Sequence, residues 1–112
     1  MERISSVKEY FDTLPRRFVA SASKGVSAVY QFDLSGEGGA QYRVAVTEGL
    51  IDIAEGQHEA PTVTFKMTAQ DYIKLTNGEL DGRKAFMMGR MKIAGNMALA
   101  MKMQELFPPS KS

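Results

Sequence analysis

Two stretches of alternating residues, joined by a glycine-rich segment, constrain the fold of this chain most. Apolar side chains occupy every second position from 26 to 34 and again from 42 to 46, with the letters SGEGG between the two stretches. A period of two places one row of side chains on one face of a β-strand. Glycine supplies the positive φ that a tight connection between strands requires. The pattern therefore predicts a β-hairpin.

Alternation predicts three further strands, near residues 51–53, 63–67 and 90–94. In the last of these, Met91 and Ile93 should lie on one face. A phosphate-binding loop is the alternative interpretation of the glycines in SGEGG. It is disfavoured because the segment joins two strands, and no helix follows whose N-terminus could hold an anion.

Helix signals flank these strands. Ser6 opens an S-x-x-E capping box, so a first helix should begin there, and Pro15 should end it or separate a second short piece. Thr68 and Asp71 form another capping signal for a second long helix, which should stop at residues 77–78. Further helical segments are predicted at 80–89 and 95–107.

A run of strands with helices grouped around it is typical of an α+β fold. We expect a five-stranded, predominantly antiparallel sheet covered by helices. With 112 residues, 44% of them apolar, the chain can bury one core of this kind. Residues 1–112 should therefore form a single domain.

Composition excludes several classes of function. The chain has no cysteine, which rules out a disulfide scaffold, thiol catalysis and cysteine-ligated zinc. Its net charge is +1, without a long block of one sign, so no nucleic-acid partner is expected. It contains no apolar run of the roughly 18 residues that a membrane span needs, and no apolar signal-peptide core. The chain is therefore expected to be soluble.

Catalytic and metal sites are not indicated. His58 is the sole histidine and lies in the polar stretch EGQHEAP. A solvated loop position is favoured over a metal ligand because no second histidine or cysteine accompanies it, and no G-x-S-x-G motif suggests a serine nucleophile. We expect no catalytic residue, no metal and no cofactor. Replacing His58 by alanine should leave stability and ligand binding nearly unchanged.

Methionine is concentrated near the C-terminus. The stretch AFMMGRMKIAGNMALAMKM, residues 85–103, contains six of the eight methionines. On a helical wheel, one broad apolar arc of the last helix suffices to dock it on a sheet. It consists of Leu99, Ala100, Met103, Leu106 and Phe107. Met97 and Met101, at i and i+4, form a second stripe outside this arc.

The second stripe needs a partner of its own, which can be more protein, another chain or an apolar ligand. Ordinary core packing is the usual role of methionine. Its flexible thioether specifies a dense core poorly, however, and adapts well to variable apolar guests.

Three stretches of the chain closely resemble the sterol carrier protein type 2 family of lipid-binding domains. They are YQFDLSGEGGAQYRV at 30–44, VTFKMTAQDYIKLTNGEL at 63–80 and AFMMGRMKIAGNMALAMKMQ at 85–104. The resemblance covers nearly the whole chain in one collinear order. The FDLSG hairpin combined with the KIxGNM strand-to-helix junction is its most specific feature. It implies an apolar tunnel between the sheet and its flanking helices.

The resemblance also implies a hydrophobic ligand, which can be a fatty acid, fatty acyl-CoA, phospholipid or sterol. Carried over by position, the expected tunnel lining comes from the hairpin, the AFM turn, the fifth strand and the last helix, and some of it should be plain core. The candidate residues are Phe32, Val44, Phe86, Met87, Met91, Ile93, Met97 and Met101.

Peroxisomal members of the family typically end in a tripeptide such as Ser-Lys-Leu, whereas this chain ends in Ser-Lys-Ser at 110–112. A bacterial or archaeal cytoplasmic protein is therefore expected, with fatty acyl chains favoured over sterols. Six basic residues could supply charge near a tunnel mouth for a carboxylate or CoA phosphates, or simply form a solvated face. They are Arg16, Arg17, Lys24, Arg83, Lys84 and Arg90.

Three functions follow in order of preference. The first is a noncatalytic lipid carrier that shields an acyl chain with few polar contacts. The second is an accessory or dimerisation module of this family that serves a lipid- or isoprenoid-related enzyme. The third is a small enzyme acting on a lipid. A monomer and a homodimer are both compatible with the sequence, as is transient contact with a membrane.

Overall fold

A computed structural model of the protein describes residues 4–57 and 60–107. His58 and the C-terminal tripeptide lie outside the described residues, so the expectations for them stay predictions. None of the described helices has the length and hydrophobicity needed to cross a lipid bilayer.

Five strands form one sheet in the order β3-β2-β1-β4-β5. Strand β1 pairs in parallel with β4, and the other three neighbouring pairs are antiparallel. The predicted α+β fold with a mostly antiparallel sheet is confirmed. The strands are β1 (Ser27–Ser35), β2 (Ala40–Thr47), β3 (Leu50–Glu55), β4 (Val63–Thr68) and β5 (Lys92–Gly95).

The predicted hairpin is formed by β1 and β2. Phe32 lies opposite Tyr42 and Tyr30 lies opposite Val44, so the two alternating rows share one face. The connecting segment has no room for a side chain at Gly39, because a Cβ there would lie 2.3 Å from the carbonyl oxygen of Leu34. Glycine is required at that position by this close approach.

Within the described ranges, four α-helices and one 3-10 turn accompany the sheet. Both predicted capping residues act as expected, since the Ser6 hydroxyl accepts a hydrogen bond from the Glu9 amide and the Thr68 hydroxyl accepts one from the Asp71 amide. The helices are α1 (Val7–Arg17), α2 (Ala69–Thr76), α3 (Gly82–Met87) and α4 (Met97–Leu106), with the 3-10 turn at Ala20–Ser23.

The prediction that Pro15 ends or divides the first helix is wrong. Helix α1 continues through Pro15 to Arg17. Proline has no N–H to donate to the carbonyl one turn earlier, but the other bonds of the last turn remain. The Phe18 amide donates to the Leu14 carbonyl at 3.0 Å, and the Arg17 guanidinium donates to the Tyr10 carbonyl at 2.7 Å.

The sheet is covered by helices on the face that carries the alternating apolar residues. Phe32 of β1 contacts Phe11 of α1 and Tyr72 of α2, while Tyr30, on the same face, contacts Phe107 at the end of α4. On the opposite face, Lys66 and Lys92 are exposed. The core therefore lies in one layer between the sheet and its helices.

Candidate functional site

One half of the interior is filled by aromatic rings, which we call the aromatic cluster. Phe11 stacks on Tyr42 with ring centroids 4.1 Å apart and meets Phe32 at 5.3 Å. Phe32 in turn stacks on Phe65 at 5.5 Å and lies 5.7 Å from Tyr72. Rings have few rotamers, so these contacts make the interior beneath α1 and α2 a rigid packing.

Helix α4 is joined to the sheet by a side chain of β1. The Tyr30 hydroxyl donates a hydrogen bond of 2.8 Å to the Leu99 carbonyl. Burial raises the pKa of Tyr30 to about 12, because the phenolate would lose its solvation. The hydroxyl therefore keeps its proton and remains a donor to α4 across the physiological range.

The predicted docking arc of α4 is confirmed. Ala100, Leu106 and Phe107 are buried, and Leu99 and Met103 are partly buried against the core. The second stripe stands away from it, with Met97 47% and Met101 72% exposed. Side chains of the described residues therefore leave this stripe largely open to solvent.

Helix α3 and the residue after it expose further large apolar side chains. Phe86 is 45% exposed, Met87 83% and Met88 64%, whereas Ala85 is fully buried and anchors the helix. Exposed methionines at this density are unusual on a small domain, because apolar side chains gain free energy when they leave water. We call Phe86, Met87, Met88, Met97 and Met101 the exposed apolar group.

The eight predicted lining residues separate into two sets. Four lie in or against the core, and four belong to the exposed apolar group. The inner set is Phe32, Val44, Met91 and Ile93, of which Ile93 is only partly buried, and the outer set is Phe86, Met87, Met97 and Met101. A shared contact with one ligand stays a prediction.

The surface formed by the described residues includes two open clefts. One, of about 370 Å³, lies between α1 and the outer strands β2 and β3, with Phe11 and Ile53 in its wall. The other, of about 610 Å³, lies at the ends of β1 and β4, with Met67 and Lys92 in its wall. None of the eight predicted residues lines either cleft. A group of His, Cys, Asp or Glu suited to a metal ion is absent from the described residues.

The six basic residues differ in their surroundings. Arg16, Lys24, Arg83 and Lys84 are exposed. Arg90 forms two hydrogen bonds to Asp71, at 2.5 and 3.2 Å, which lower the pKa of that carboxyl. This pair joins the segment before β5 to α2, so Arg90 already has an anionic partner.

Arg17 is partly buried, and its hydrogen bonds go to neutral acceptors. Its guanidinium carbon lies 4.7 Å from the centroid of the Tyr10 ring, and its nitrogens donate to the Thr13 hydroxyl and the Tyr10 carbonyl, both at 2.7 Å. Tyr10 and Tyr72, whose rings meet edge to face at 5.0 Å, complete a polar group inside the helical layer. The sequence did not single out these tyrosines as a polar group. Each is a tyrosine on an otherwise apolar helix face, a pattern that is also typical of ordinary core residues.

Comparison with known proteins shows which family this sequence and fold resemble. The model of the SCP-2 sterol transfer family matches residues 11–108. Hydroxysteroid dehydrogenase-like protein 2 of Bos taurus is 37% identical over 106 residues, which are 93% of this chain and 25% of that protein. The human protein of the same name is 35% identical over the same length. The chain thus spans about a quarter of these curated relatives.

Solved structures agree on the fold. The sterol carrier protein domain 2 of Helicoverpa armigera has a TM-score of 0.73 and 29% identity, covering 92% of this chain and 91% of its own. Palmitated SCP2L2 of Aedes aegypti has a TM-score of 0.68 and 22% identity, covering 90% and 93%. The sec-alkylsulfatase Pisa1 of Pseudomonas contains the same fold, with a TM-score of 0.78 and 20% identity, in 17% of its chain.

Proposed function

We propose that this chain, which belongs to the SCP-2 sterol transfer family, is a noncatalytic lipid carrier that shelters a fatty acyl chain between its sheet and helices. The observation that carries the proposal is the exposed apolar group on α3 and α4. Its five large side chains are 45% to 83% exposed, although buried residues of the same helices already anchor α3 and α4 on the core. An acyl chain covered by these side chains would gain about 0.8 kcal/mol for each methylene removed from water.

The inner and outer sets of predicted lining residues suggest how a bound acyl chain would lie. Ile93 of β5 is partly buried and Met91 is buried just before it, so both are close to the core edge. We place the acyl chain against this edge, with Met97 and Met101 of α4 covering it from outside. Methionine suits this role because three rotatable bonds let it follow guests of different shape.

Related proteins support a lipid ligand of this kind. The Helicoverpa structure is a sterol carrier protein domain, and the Aedes structure is palmitated. The side chains that we assign to the acyl site are apolar, so binding would depend on apolar area and would tolerate several lipids. The proposal assigns no catalytic residue, and it includes a cytoplasmic location with transient contact at membranes.

An accessory module is the second candidate, and the curated relatives favour it specifically. In hydroxysteroid dehydrogenase-like protein 2, the region similar to this chain is about a quarter of a longer protein. A domain attached to or serving an enzyme could present a lipid to it, or use the exposed apolar group to contact protein, including a second copy of itself.

Native mass spectrometry of the purified protein separates these functions. A monomer that carries copurified lipid is expected from the carrier, whereas a lipid-free dimer would support the accessory module. Titration with a fluorescent long-chain fatty acid should then show saturable binding that unlabelled fatty acids displace.

Affinity should rise with chain length over the medium-chain range, by about 0.8 kcal/mol per methylene at most. The measurement is displacement of the fluorescent probe by a series of saturated fatty acids below their micelle concentrations. Absence of probe binding, with unlabelled lipids also inert, would reject the carrier.

A further inference from the structure

Charge is distributed unevenly along the chain. Residues 82–104 contain five of the fourteen basic residues and none of the thirteen acidic ones. The rest of the chain therefore carries nine basic side chains against thirteen acidic ones. The same segment, 82–104, holds the whole exposed apolar group. Basic and exposed apolar side chains are thus concentrated in one segment of a chain that is otherwise net negative.

The fold places this segment along one edge of the sheet. Strand β5 is the last strand in the sheet order, and it follows α3 after residues 88–91 and precedes α4 by Asn96. Because β5 has four residues, its two ends are only about 10 Å apart. The exposed side chains of α3 and α4 are therefore close enough to meet one extended partner surface.

Helix α3 presents most of its side chains to solvent. Ala85 is its buried residue, and the three large apolar side chains at 86–88 are all exposed. Successive residues of a helix are turned by about 100°, so these three point in different directions away from the core that Ala85 contacts. Arg83 and Lys84, on the same helix, are also exposed. Helix α3 thus combines a projecting apolar surface with basic side chains.

The basic side chains of the segment differ in their surroundings. Arg90 is bonded to Asp71, so it adds little net charge. Lys92 is exposed and Lys102 is half-buried. Long basic side chains can lie along an apolar surface while their charged ends reach an anion beyond it. The segment therefore offers cationic ends around its exposed apolar group.

We propose that the β5 edge, through α3 and α4, docks this protein on the surface of an anionic lipid bilayer, an inference that rests on the proposed lipid-carrier function. The apolar side chains would enter the boundary between head groups and acyl chains, while the basic side chains would meet anionic head groups. Docking in this orientation would bring the proposed acyl site beside α4 to the membrane from which a lipid is taken.

Charge favours a bilayer over a second copy of the chain. A two-fold dimer sets the same patch of both copies face to face, so the basic side chains of one copy would meet those of the other. Like charges across an interface disfavour association. An anionic bilayer supplies apolar depth and opposite charge together, and it repels the net negative remainder of the chain, which orients the β5 edge toward the membrane.

A single introduced tryptophan tests the docking surface, because the chain contains no tryptophan of its own. Met87→Trp places the indole on α3. Leu50→Trp is the matched control, since Leu50 is 73% exposed on β3, at the other end of the sheet order. Vesicles of phosphatidylcholine and phosphatidylglycerol should shift the emission of Met87→Trp to the blue, and brominated lipids should quench it. The emission of Leu50→Trp should change little, and equal responses of the two variants would overturn the proposed surface.

A pair of double variants tests the contribution of charge. Arg83→Gln combined with Lys84→Gln should lower the partition onto anionic vesicles by about fivefold for each charge removed, as measured by cosedimentation. Arg16→Gln combined with Lys24→Gln is the matched control, because these two basic residues are also exposed but lie outside the segment. All four positions are exposed, so the melting temperatures should stay unchanged. An equal loss of partition in both double variants would overturn the assignment to α3.

Titration with a fluorescent fatty acid, without vesicles, separates the docking surface from the carrier function. No response of Met87→Trp to anionic vesicles, in a protein that binds the fatty acid, would overturn the docking surface and spare the carrier. Vesicle binding through α3 by a protein that binds no fatty acid would support the docking surface and overturn the carrier. Self-association that Met87→Asp abolishes, without vesicle binding by the wild type, would identify a second copy as the occupant and overturn the bilayer.

Discussion

Two pairs of helices flank the sheet of this protein, and they differ in the side chains they use. Helices α1 and α2 meet the sheet through rings that are almost fully buried, with Tyr10 2%, Phe11 2% and Tyr72 1% exposed. Helices α3 and α4 are anchored by a few buried residues and turn Met87 and Met101 outward, 83% and 72% exposed. The first pair is complete as folded, whereas the second pair leaves apolar area uncovered.

The difference follows from the physical properties of the two kinds of side chain. Aromatic rings have two side-chain torsions and prefer particular edge-to-face and stacked contacts, so they specify one arrangement. A methionine side chain has three rotatable bonds and a polarizable sulfur, so it adapts to its surroundings. We therefore expect conformational stability to depend mainly on α1 and α2, and ligand binding to depend mainly on α3 and α4.

The largest effect should come from Phe11→Ala. Phe11 contacts Tyr10, Phe32, Tyr42 and Tyr72. Truncating its side chain therefore leaves a cavity in the aromatic cluster beneath α1 and α2. We expect the free energy of unfolding to fall by about 3 to 5 kcal/mol. Denaturant unfolding measures this change, and Met101→Ala, on the exposed stripe, should by contrast stay within about 0.5 kcal/mol of wild type. Similar losses in the two variants would remove the distinction between the helix pairs.

Met101→Trp tests the expected ligand-binding role of α3 and α4. At a site that is 72% exposed, an indole should not overpack the core, so the melting temperature of the ligand-free protein should be retained. If Met101 covers the acyl chain, the larger ring occupies ligand space, and long-chain affinity should fall by about tenfold, or 1.4 kcal/mol. Both quantities are measured on one variant, by thermal unfolding and by displacement of a fluorescent fatty acid.

Three results of Met101→Trp would contradict that assignment. A stability loss of about 1 to 3 kcal/mol, in a protein whose wild type binds no lipid, would indicate overpacking and an ordinary core role. Unchanged lipid affinity would place the ligand elsewhere. Reduced self-association would instead favour the dimerisation module.

Tyr30→Phe examines the hydrogen bond that ties α4 to the sheet. Removing the hydroxyl that donates to the Leu99 carbonyl should cost about 0.5 to 1.5 kcal/mol. Hydrogen exchange of α4 amides should increase more than exchange in α1, because the bond secures only the less tightly packed half. Uniform protection across both helices would show that the two halves unfold as one unit.

Asp71→Asn should have the smallest effect. Its partner Arg90 is more than a third exposed, so solvent screens the pair. Since the Asp71 pKa is lowered in the folded protein, its contribution is present above the unfolded value of 3.8 and is lost as the pH falls through the lowered value. Stability measured from pH 7 to pH 2 should therefore fall less steeply for Asp71→Asn than for wild type. An unchanged slope would show that the pair contributes nothing measurable.

Much of the fold was predictable because its signals are local. Alternation between positions 26 and 46 predicted the hairpin, and the capping residues Ser6 and Thr68 predicted two helix starts that the structure confirms. The docking arc of α4 followed from its helical period. Pro15 was the exception, because the rest of the last turn kept its hydrogen bonds without the missing N–H.

Partners that are distant in sequence could not be predicted in this way. The parallel pairing of β1 with β4 brings Phe32 beside Phe65 across 33 residues, and no local period specifies it. Met91 and Met87 are four residues apart and chemically identical, yet one is 7% exposed and the other 83%. The burial of each methionine depends on which residues from other parts of the chain pack against it.

The candidate site shows the same division between local pattern and tertiary contact. The sequence indicated a concentration of methionine and six basic residues, among which Arg16 and Arg17 were equivalent. In the folded protein Arg16 is exposed, while Arg17 is partly buried and lies over the Tyr10 ring. Residue types and periods are properties of the chain, but desolvation of a particular side chain requires neighbours from elsewhere in the fold, and only the packed structure supplies them.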